Sequence, residues 1–230
     1  MKDFSLNSGE RQVGKSLSEI RRDHLARYEK AVGLLKYKKH DVILDCFCGN
    51  GYGSHMLAKE LPGSHVLGID ASKEAVDFAN EYYALNNLYF TNKLFPFELP
   101  YETFDAVISF ESVEHVNEGN HMLTELAKSV RPGGFLIFSV PNEKVNSLKI
   151  NKHKFHVKHY TNEEIKEYFK GKLEFSKMYG QDVYVFREGL QSELLPENKM
   201  ELVESYEGQV IIYVYQKEPV KNGFIRNFFK

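Results

Sequence analysis

The sequence predicts an α/β fold, a largely parallel sheet covered by helices on both faces, and three observations carry that prediction. The first is VILDCFCGNGYGS, Val42 to Ser54, in which an apolar run ends in an acid and Gly49, Gly51 and Gly53 follow. Glycines in such a turn let the chain reverse tightly and come close to a ligand, where a Cβ would collide. The second is VLGIDAS, Val66 to Ser72, roughly 20 residues on, where another apolar run ends in Asp70, placed to accept hydrogen bonds from a ribose diol. The third is the alternation of strand-like and helix-like segments, which requires crossover connections and a sheet covered on both sides. Strand, glycine turn, helix, strand and acid make half of a nucleoside-binding domain. Its ligand is expected at the carboxyl ends of the strands, where strand order reverses.

Taken in order, residues 1 to 16 are polar and read as an irregular arm. Leu17 to Leu35 has helical periodicity, with Ile20, His24 and Ala31 on one face and Leu25, Tyr28, Val32 and Leu35 on its neighbour. The first strand is Asp41 to Asp45, followed by a helix from about His55 to Leu61 that Pro62 and Gly63 stop. A second strand covers His65 to Asp70, and Ser72 caps a helix over Lys73 to Asn86, whose early Glu74 and Asp77 suit its dipole. Leu88 to Thr91 is a short strand before an aromatic, proline-broken loop to Thr103. Ala106 to Phe110, a helix over Asn120 to Val130, and Phe135 to Val140 come next. Thr161 and Glu164 form a capping-box pattern for a helix over Asn162 to Lys170. Glu174 to Tyr179 and Gln209 to Gln216 are the last strands, separated by a segment, 181 to 208, longer than a simple connection needs. Loops of that length tend to be functional, so this one is a candidate acceptor lid.

The chain of 230 residues reads as one domain able to bury a substantial core. A net charge of −2 gives no basic excess of the kind nucleic-acid binding usually shows, so a nucleic-acid partner is not expected. No apolar run reaches the ~20 residues that span a bilayer, and MKDFSLNSGERQVG lacks the apolar core of a signal peptide. A cytoplasmic location is expected. Cys46 and Cys48 are the two cysteines, one residue apart; they read as buried free thiols, poorly placed for a bridge. The basic, aromatic ending KNGFIRNFFK reads as a packed or disordered terminus rather than a docking element.

The motifs resemble those of the class I S-adenosylmethionine-dependent methyltransferases. Cys48-Gly49-Asn50-Gly51 after Asp45 resembles the CGxG of motif I in that family. Phe104 to Ser109 resembles its fourth strand, Phe110-Glu111-Ser112-Val113-Glu114-His115-Val116 its motif IV, and Arg131-Pro132-Gly133-Gly134 the turn before strand five. The resemblance covers residues 9 to about 170, and again the last strand. It implies a Rossmann-like sheet of seven strands with the last antiparallel, and S-adenosylmethionine as cofactor. It places Asp45, Gly49 and Gly51 around the methionine portion and Asp70 on the ribose. Ala71 and residues near Phe95 would line the adenine pocket, and Phe110 and Glu111 would underlie the sulfonium. The GER…HLARY pattern also resembles methyltransferases of polysaccharide gene clusters, where His24 and Tyr28 with Arg11 would cap the cofactor; an ordinary amphipathic helix explains the pair almost as well. Two positions depart from the family. Phe47 stands where Gly or Ala is usual, and TNKLFPFELP lacks an acid that many relatives present to the adenine amine.

Glu111-x-x-Glu114-His115 is the pattern with the most chemistry in it. Residues at i, i+3 and i+4 of a helix or turn share a face, and carboxylate plus imidazole ligands suit Mg²⁺ or another divalent cation. The pattern resembles the E-x-x-E-H motif of ubiquinone-pathway O-methyltransferases and of small-RNA 2′-O-methyltransferases. That resemblance makes His156 of FHVKHYT the closer match to a further ligand, with His159 competing. The candidate metal set is therefore Glu111, Glu114, His115 and His156. Two alternatives stay open: His115 as a general base tuned by Glu114, and a purely structural role for the group. His153 and His159 read as surface histidines. The leading expectation is O-methylation of a sugar, glycan or other small hydroxylated acceptor. An RNA 2′-O-methyltransferase and a degenerate, non-catalytic binding domain, the latter suggested by Phe47, are the alternatives. The residues leave the oligomeric state open.

Overall fold

A computed structural model describes residues 5–9 and 11–220; Glu10 of the GER segment and the tail KNGFIRNFFK lie outside the described residues. The elements in chain order are α1 (Arg22–Leu35), β1 (Val42–Cys46), α2 (Tyr52–Glu60), β2 (His65–Asp70), α3 (Lys73–Tyr82), β3 (Leu88–Asn92), β4 (Phe104–Phe110), α4 (Gly119–Ser129), β5 (Val130–Pro141), α5 (Asn162–Phe169), β6 (Glu174–Gln181), β7 (Tyr184–Arg187), β8 (Leu190–Leu194), β9 (Val203–Glu204) and β10 (Val210–Gln216). Short 3₁₀ turns occupy Leu17–Glu19, Val113–His115 and Glu197–Lys199.

The main sheet has the order β3-β2-β1-β4-β5-β10-β6-β9. The first five strands are parallel, and β10 is inserted antiparallel between β5 and β6. That is the expected Rossmann-like sheet with one addition: the two-residue β9 adds an eighth strand on the free edge of β6. Strand alternation sorts the core into two layers. Leu44, Val107, Phe138, Ile211 and Tyr213 meet α4 and α5 through Leu123, Leu126, Ile165 and Phe169 on one face. Ile43, Ala106, Ile108, Ile212 and Val214 meet α1 and α2 through Tyr28, Ala31, Leu35 and Leu57 on the other. Buried on both faces, the central strands read as continuous apolar runs.

The structure corrects several expected boundaries. The predicted helix 17–35 is broken: Ile20 and Arg21 are extended, and the helix proper starts at Arg22. Glu19 explains the break, because its carboxylate accepts from Lys15 N and Ser16 Oγ and closes a separate turn. α2 begins at Tyr52 rather than His55, because Gly51 takes a left-handed φ of 90° and starts the helix there. β5 runs through Arg131 to Gly134, with a register irregularity against β4 between Phe104 and Ala106. The Ser72 cap and the Thr161–Glu164 capping box are as expected. Segment 181–208 holds the antiparallel hairpin β7–β8, a two-stranded sheet separate from the main one, and then β9. No helix among the described residues is long and apolar enough to cross a membrane.

Gly53, in the first turn of α2, is where α1 comes closest. A Cβ there would run into the ring of Tyr28. Overpacking of this kind costs about 1–3 kcal/mol. Gly53→Ala is expected to lower the free energy of unfolding by that amount, read as a lower urea midpoint with an unchanged m-value; an unchanged midpoint would show that α1 adjusts freely.

Candidate active site

Strand order reverses between β1 and β4, so the loops leaving these strands diverge and open a crevice at their carboxyl ends. The loop after β1 carries Phe47, Gly49 and Gly51, and the loop after β4 begins with Glu111. Both loops use left-handed backbone, with φ of 65° at Phe47, 58° at Gly49 and 47° at Glu111. Phe47 packs its ring near Phe95 and Phe97, at centroid distances of 6.4 and 6.3 Å. The bulk that departs from the family thus leans on the proline-broken loop. Glu111 is braced by Ser139 of β5, whose hydroxyl donates to Glu111 Oε1 at 2.8 Å and accepts from Glu111 N at 3.0 Å.

Two cavities meet in this crevice. One, of about 360 Å³, is lined by Asp70, Ala71, Leu94, Phe95, Pro96 and Val116 among others. This apolar slot beside an acid suits an adenosine. The acids in its wall are Asp70, Glu111 and Glu118, with none from the loop 91–100. The other cavity, of about 440 Å³, is larger and more polar; α1 contributes His24 and Tyr28, the extended residue before it Arg21, and the loop after β5 His153, His156 and His159. Val183, Tyr184 and Gln191 of the 181–208 segment also reach it. Arg11, Phe47, Gly49, Glu111 and His115 belong to both walls.

Asp70 accepts from Gly49 N at 2.9 Å and Ser72 N at 2.8 Å, and pairs with Arg11 at 3.2 Å. The N-terminal arm is thereby drawn onto the carboxyl end of β2. Asp45 is different. It is fully buried, accepts from Ser54 Oγ at 2.6 Å and from the Tyr28 hydroxyl at 3.1 Å, and lines neither cavity. Gly51 also lies behind the wall, where a Cβ would meet Ala79 at 2.6 Å and Phe90 at 2.8 Å. Of the expected cofactor residues, Asp45 and Gly51 therefore shape the wall, while Tyr28, Gly49, Asp70, Ala71, Phe110 and Glu111 are part of it. Burial raises the Asp45 carboxyl to about 7, against the lowering effect of the Ser54 and Tyr28 hydrogen bonds. Burial pushes the His24 imidazole down to about 3 in spite of Asp23, and its Nδ1 lies 3.1 Å from the Tyr52 hydroxyl.

The metal expectation needs one correction. Glu114, His115 and His156 each bring one ligand atom within 4.8 Å of the others. Glu111 is absent from this set and is engaged with Ser139 instead. A carboxylate with two imidazoles is a donor set that fits a divalent cation. Val157 N donates to Glu114 O at 2.7 Å, tying the histidine loop to the turn that carries Glu114. Burial, and then the neighbouring histidines, push His156 down to about 2, so it stands as a neutral imidazole. His153 is exposed as expected, but His159 is buried, with Nε2 2.7 Å from His156 Nδ1 and Nδ1 2.6 Å from Asn146 O. Sequence reasoning missed Ser54, Ser139, Arg21 and Tyr184. Ser139 carried a signal, as the single polar residue inside the apolar run FLIFSV.

Comparison with known proteins agrees with this geometry. Residues 37–193 match a family model described as a methyltransferase domain. A ubiquinone biosynthesis O-methyltransferase of Aliivibrio fischeri is 33% identical over 124 residues, covering 52% of this chain and 50% of that protein. The chain thus spans about half the length of the curated relatives it matches. The YcgJ protein of Bacillus subtilis superposes with a TM-score of 0.64 at 15% identity, over 85% of this chain and 99% of its own. The N-methyltransferase NodS of Bradyrhizobium japonicum, solved with S-adenosyl-L-homocysteine, gives 0.62 at 14% identity, over 86% of this chain and 88% of its own. These structural likenesses concern the fold.

The raised Asp45 carboxyl sets a pH dependence. Between the unfolded value of ~3.9 and the folded value of about 7, the native protein holds a proton that the unfolded chain has released. This contribution to stability is complete below pH ~4 and is lost as pH rises through about 7, a change of a few kcal/mol at most. Urea unfolding from pH 5 to 8 should show Asp45→Asn losing that decline, so that the variant gains on the parent as pH rises. Parallel profiles would refute the assignment.

Proposed function

Because the chain belongs to the methyltransferase domain family and has the class I S-adenosylmethionine-dependent architecture, we propose that its acceptor atom is a hydroxyl oxygen, on a sugar or another small hydroxylated molecule. The observation that carries this reading is the convergence of Glu114, His115 and His156 beside the wall shared by the two cavities. An amine acceptor needs little help in losing a proton, whereas a hydroxyl needs a base or a cation beside it. Support also comes from the O-methyltransferase named among the relatives, at 33% identity.

In this reading the adenosine occupies the apolar slot over Ala71 and Phe95, with its ribose diol on Asp70. The methionine portion lies against Tyr28, Gly49 and Phe110. The hairpin residues Tyr184 and Gln191 act as an acceptor lid, with the Arg21 guanidinium 6.0 Å from the Tyr184 ring. S-adenosylmethionine supplies the methyl group as a sulfonium, which needs an in-line approach by the acceptor oxygen. Glu114, His115 and His156 would hold a divalent cation, which would orient vicinal hydroxyls and lower the pKa of the one attacked. A second reading keeps His115 as general base without a metal, favoured by Glu114 Oε1, which lies 3.8 Å from His115 Nε2 and would stabilise an imidazolium.

Calorimetry with S-adenosylhomocysteine should give micromolar binding, weakened about 10- to 100-fold in Asp70→Ala by loss of hydrogen bonds to a charged group. In a methyl-transfer screen of sugars and catechols, His115→Ala should lose about 10²- to 10⁴-fold in kcat while keeping its S-adenosylhomocysteine affinity. Chelator should abolish turnover and added Mg²⁺ or Mn²⁺ restore it; turnover indifferent to chelator would select the metal-free base. Methylation of nitrogen acceptors alone would overturn the hydroxyl assignment.

A further inference from the structure

The geometry points to His159 as a positioning residue that engages Nδ1 of His156, fixes its tautomer and leaves Nε2 as the nitrogen His156 can offer to the cluster with Glu114 and His115. The use of that lone pair as a cation ligand rests on the metal-assisted reading above; the tautomer itself does not.

The argument runs outward from one acceptor. The carbonyl oxygen of Asn146 can only accept, so His159 Nδ1, 2.6 Å away, must carry the hydrogen. In the proposed arrangement the His159 ring carries a single N–H, on Nδ1, which also faces Glu143 Oε2 at 3.8 Å, and Nε2 holds a lone pair. His156 Nδ1, at 2.7 Å, must then be the donor, and Nε2 of His156 is left without a hydrogen. This is the minor tautomer of imidazole in water, and it is the one a metal ligand needs on that side.

Each link is held by backbone. Asn146 N donates to Asn142 O at 2.7 Å, which fixes the turn after β5 and aims the Asn146 carbonyl. Tyr160 N donates to Pro141 O at 3.2 Å, seating the residue next to His159 against the strand end. The His159 side chain is 1% exposed, so water does not compete for either nitrogen. A ligating imidazole whose other nitrogen donates to a fixed partner is oriented by it, and loss of such a partner typically costs 10- to 100-fold in metal affinity. Here the partner is itself a histidine, fixed in turn by a carbonyl.

The test uses the full chain labelled with ¹⁵N-histidine, read by long-range ¹H–¹⁵N correlation at neutral pH, with the His156 signals assigned by their loss in His156→Ala. The expected spectrum shows His156 protonated on Nδ1 and bare on Nε2 before any metal is added. His159→Phe should shift His156 toward the Nε2–H form and weaken Mn²⁺ binding in calorimetry about 10- to 100-fold. His159→Gln should restore both, because its amide can donate to Asn146 O while its oxygen accepts from His156 Nδ1. Packing alone would not make glutamine the better replacement. An Nε2–H tautomer in the parent protein, or an unchanged His156 in His159→Phe, overturns the proposal. If the parent shows the expected tautomer yet binds no Mn²⁺ at millimolar concentration, the metal reading falls and the role of His159 stands.

Discussion

Strand order reverses between β1 and β4, and the site follows from what that reversal demands of the chain. Loops that leave neighbouring parallel strands toward opposite faces must turn sharply at once, and here they do so through left-handed residues. Gly49 adopts that conformation without penalty, whereas Phe47 and Glu111 each cost about 1–2 kcal/mol. Strain of this size persists only where the surroundings over-determine it. Glu111 is held by two hydrogen bonds to one hydroxyl, Ser139, and Phe47 by aromatic neighbours from the next loop. Compensation therefore comes from β5 and from the segment after β3, so the crevice is rigid only when the whole parallel half of the sheet is in place.

A second dependence lies beneath the glycine turn. Asp45 joins β1 to α2 through Ser54 and to α1 through Tyr28. Two or more hydrogen bonds would ordinarily hold a carboxyl below its usual range, yet desolvation wins at this depth and raises it. The outcome is a polar knot that stands largely protonated at mildly acidic pH and ties the first helix to the cofactor turn. Arg11 closes the other side of the turn on Asp70, so the N-terminal segment reaches the crevice twice, once through a buried hydroxyl and once through an ion pair.

Much of this was legible in the sequence because the informative residues are local. The glycine turn, Asp70, the Ser72 cap and the Thr161–Glu164 box each depend on neighbours a few positions away, and each stands where its spacing placed it. What was not legible depends on distant contacts. His156 and His159 stand three positions apart, and nothing in FHVKHYT indicates that the first is half-buried and the second buried. That distinction comes from Asn146 and from the anchoring of Val157 on Glu114. The set Glu111, Glu114, His115 assumed a helical face. The chain instead leaves β4 with a left-handed Glu111 and then forms a three-residue turn, which separates the first carboxylate from the other two groups. The hairpin β7–β8 was hidden for a related reason: its strands are exposed or half-exposed and carry no core pattern.

The two cavities divide the residues by chemistry. Leu94, Pro96 and Val116 line only the smaller one, and His153, His156, His159 and Arg21 only the larger. On the proposed reading, a transfer between two bound molecules, which needs the reacting atoms within about 3–3.5 Å of each other, belongs at the wall the cavities share. Gly49, Glu111 and His115 stand on that wall. Glycine lets the backbone approach, the glutamate is held by Ser139, and the imidazole is the residue there suited to proton transfer or ligation. Glu114 lies buried beside His115 and lines neither cavity, so it reaches the shared wall through that imidazole. The same geometry sets a largely apolar slot beside a cavity in which histidines and arginines gather.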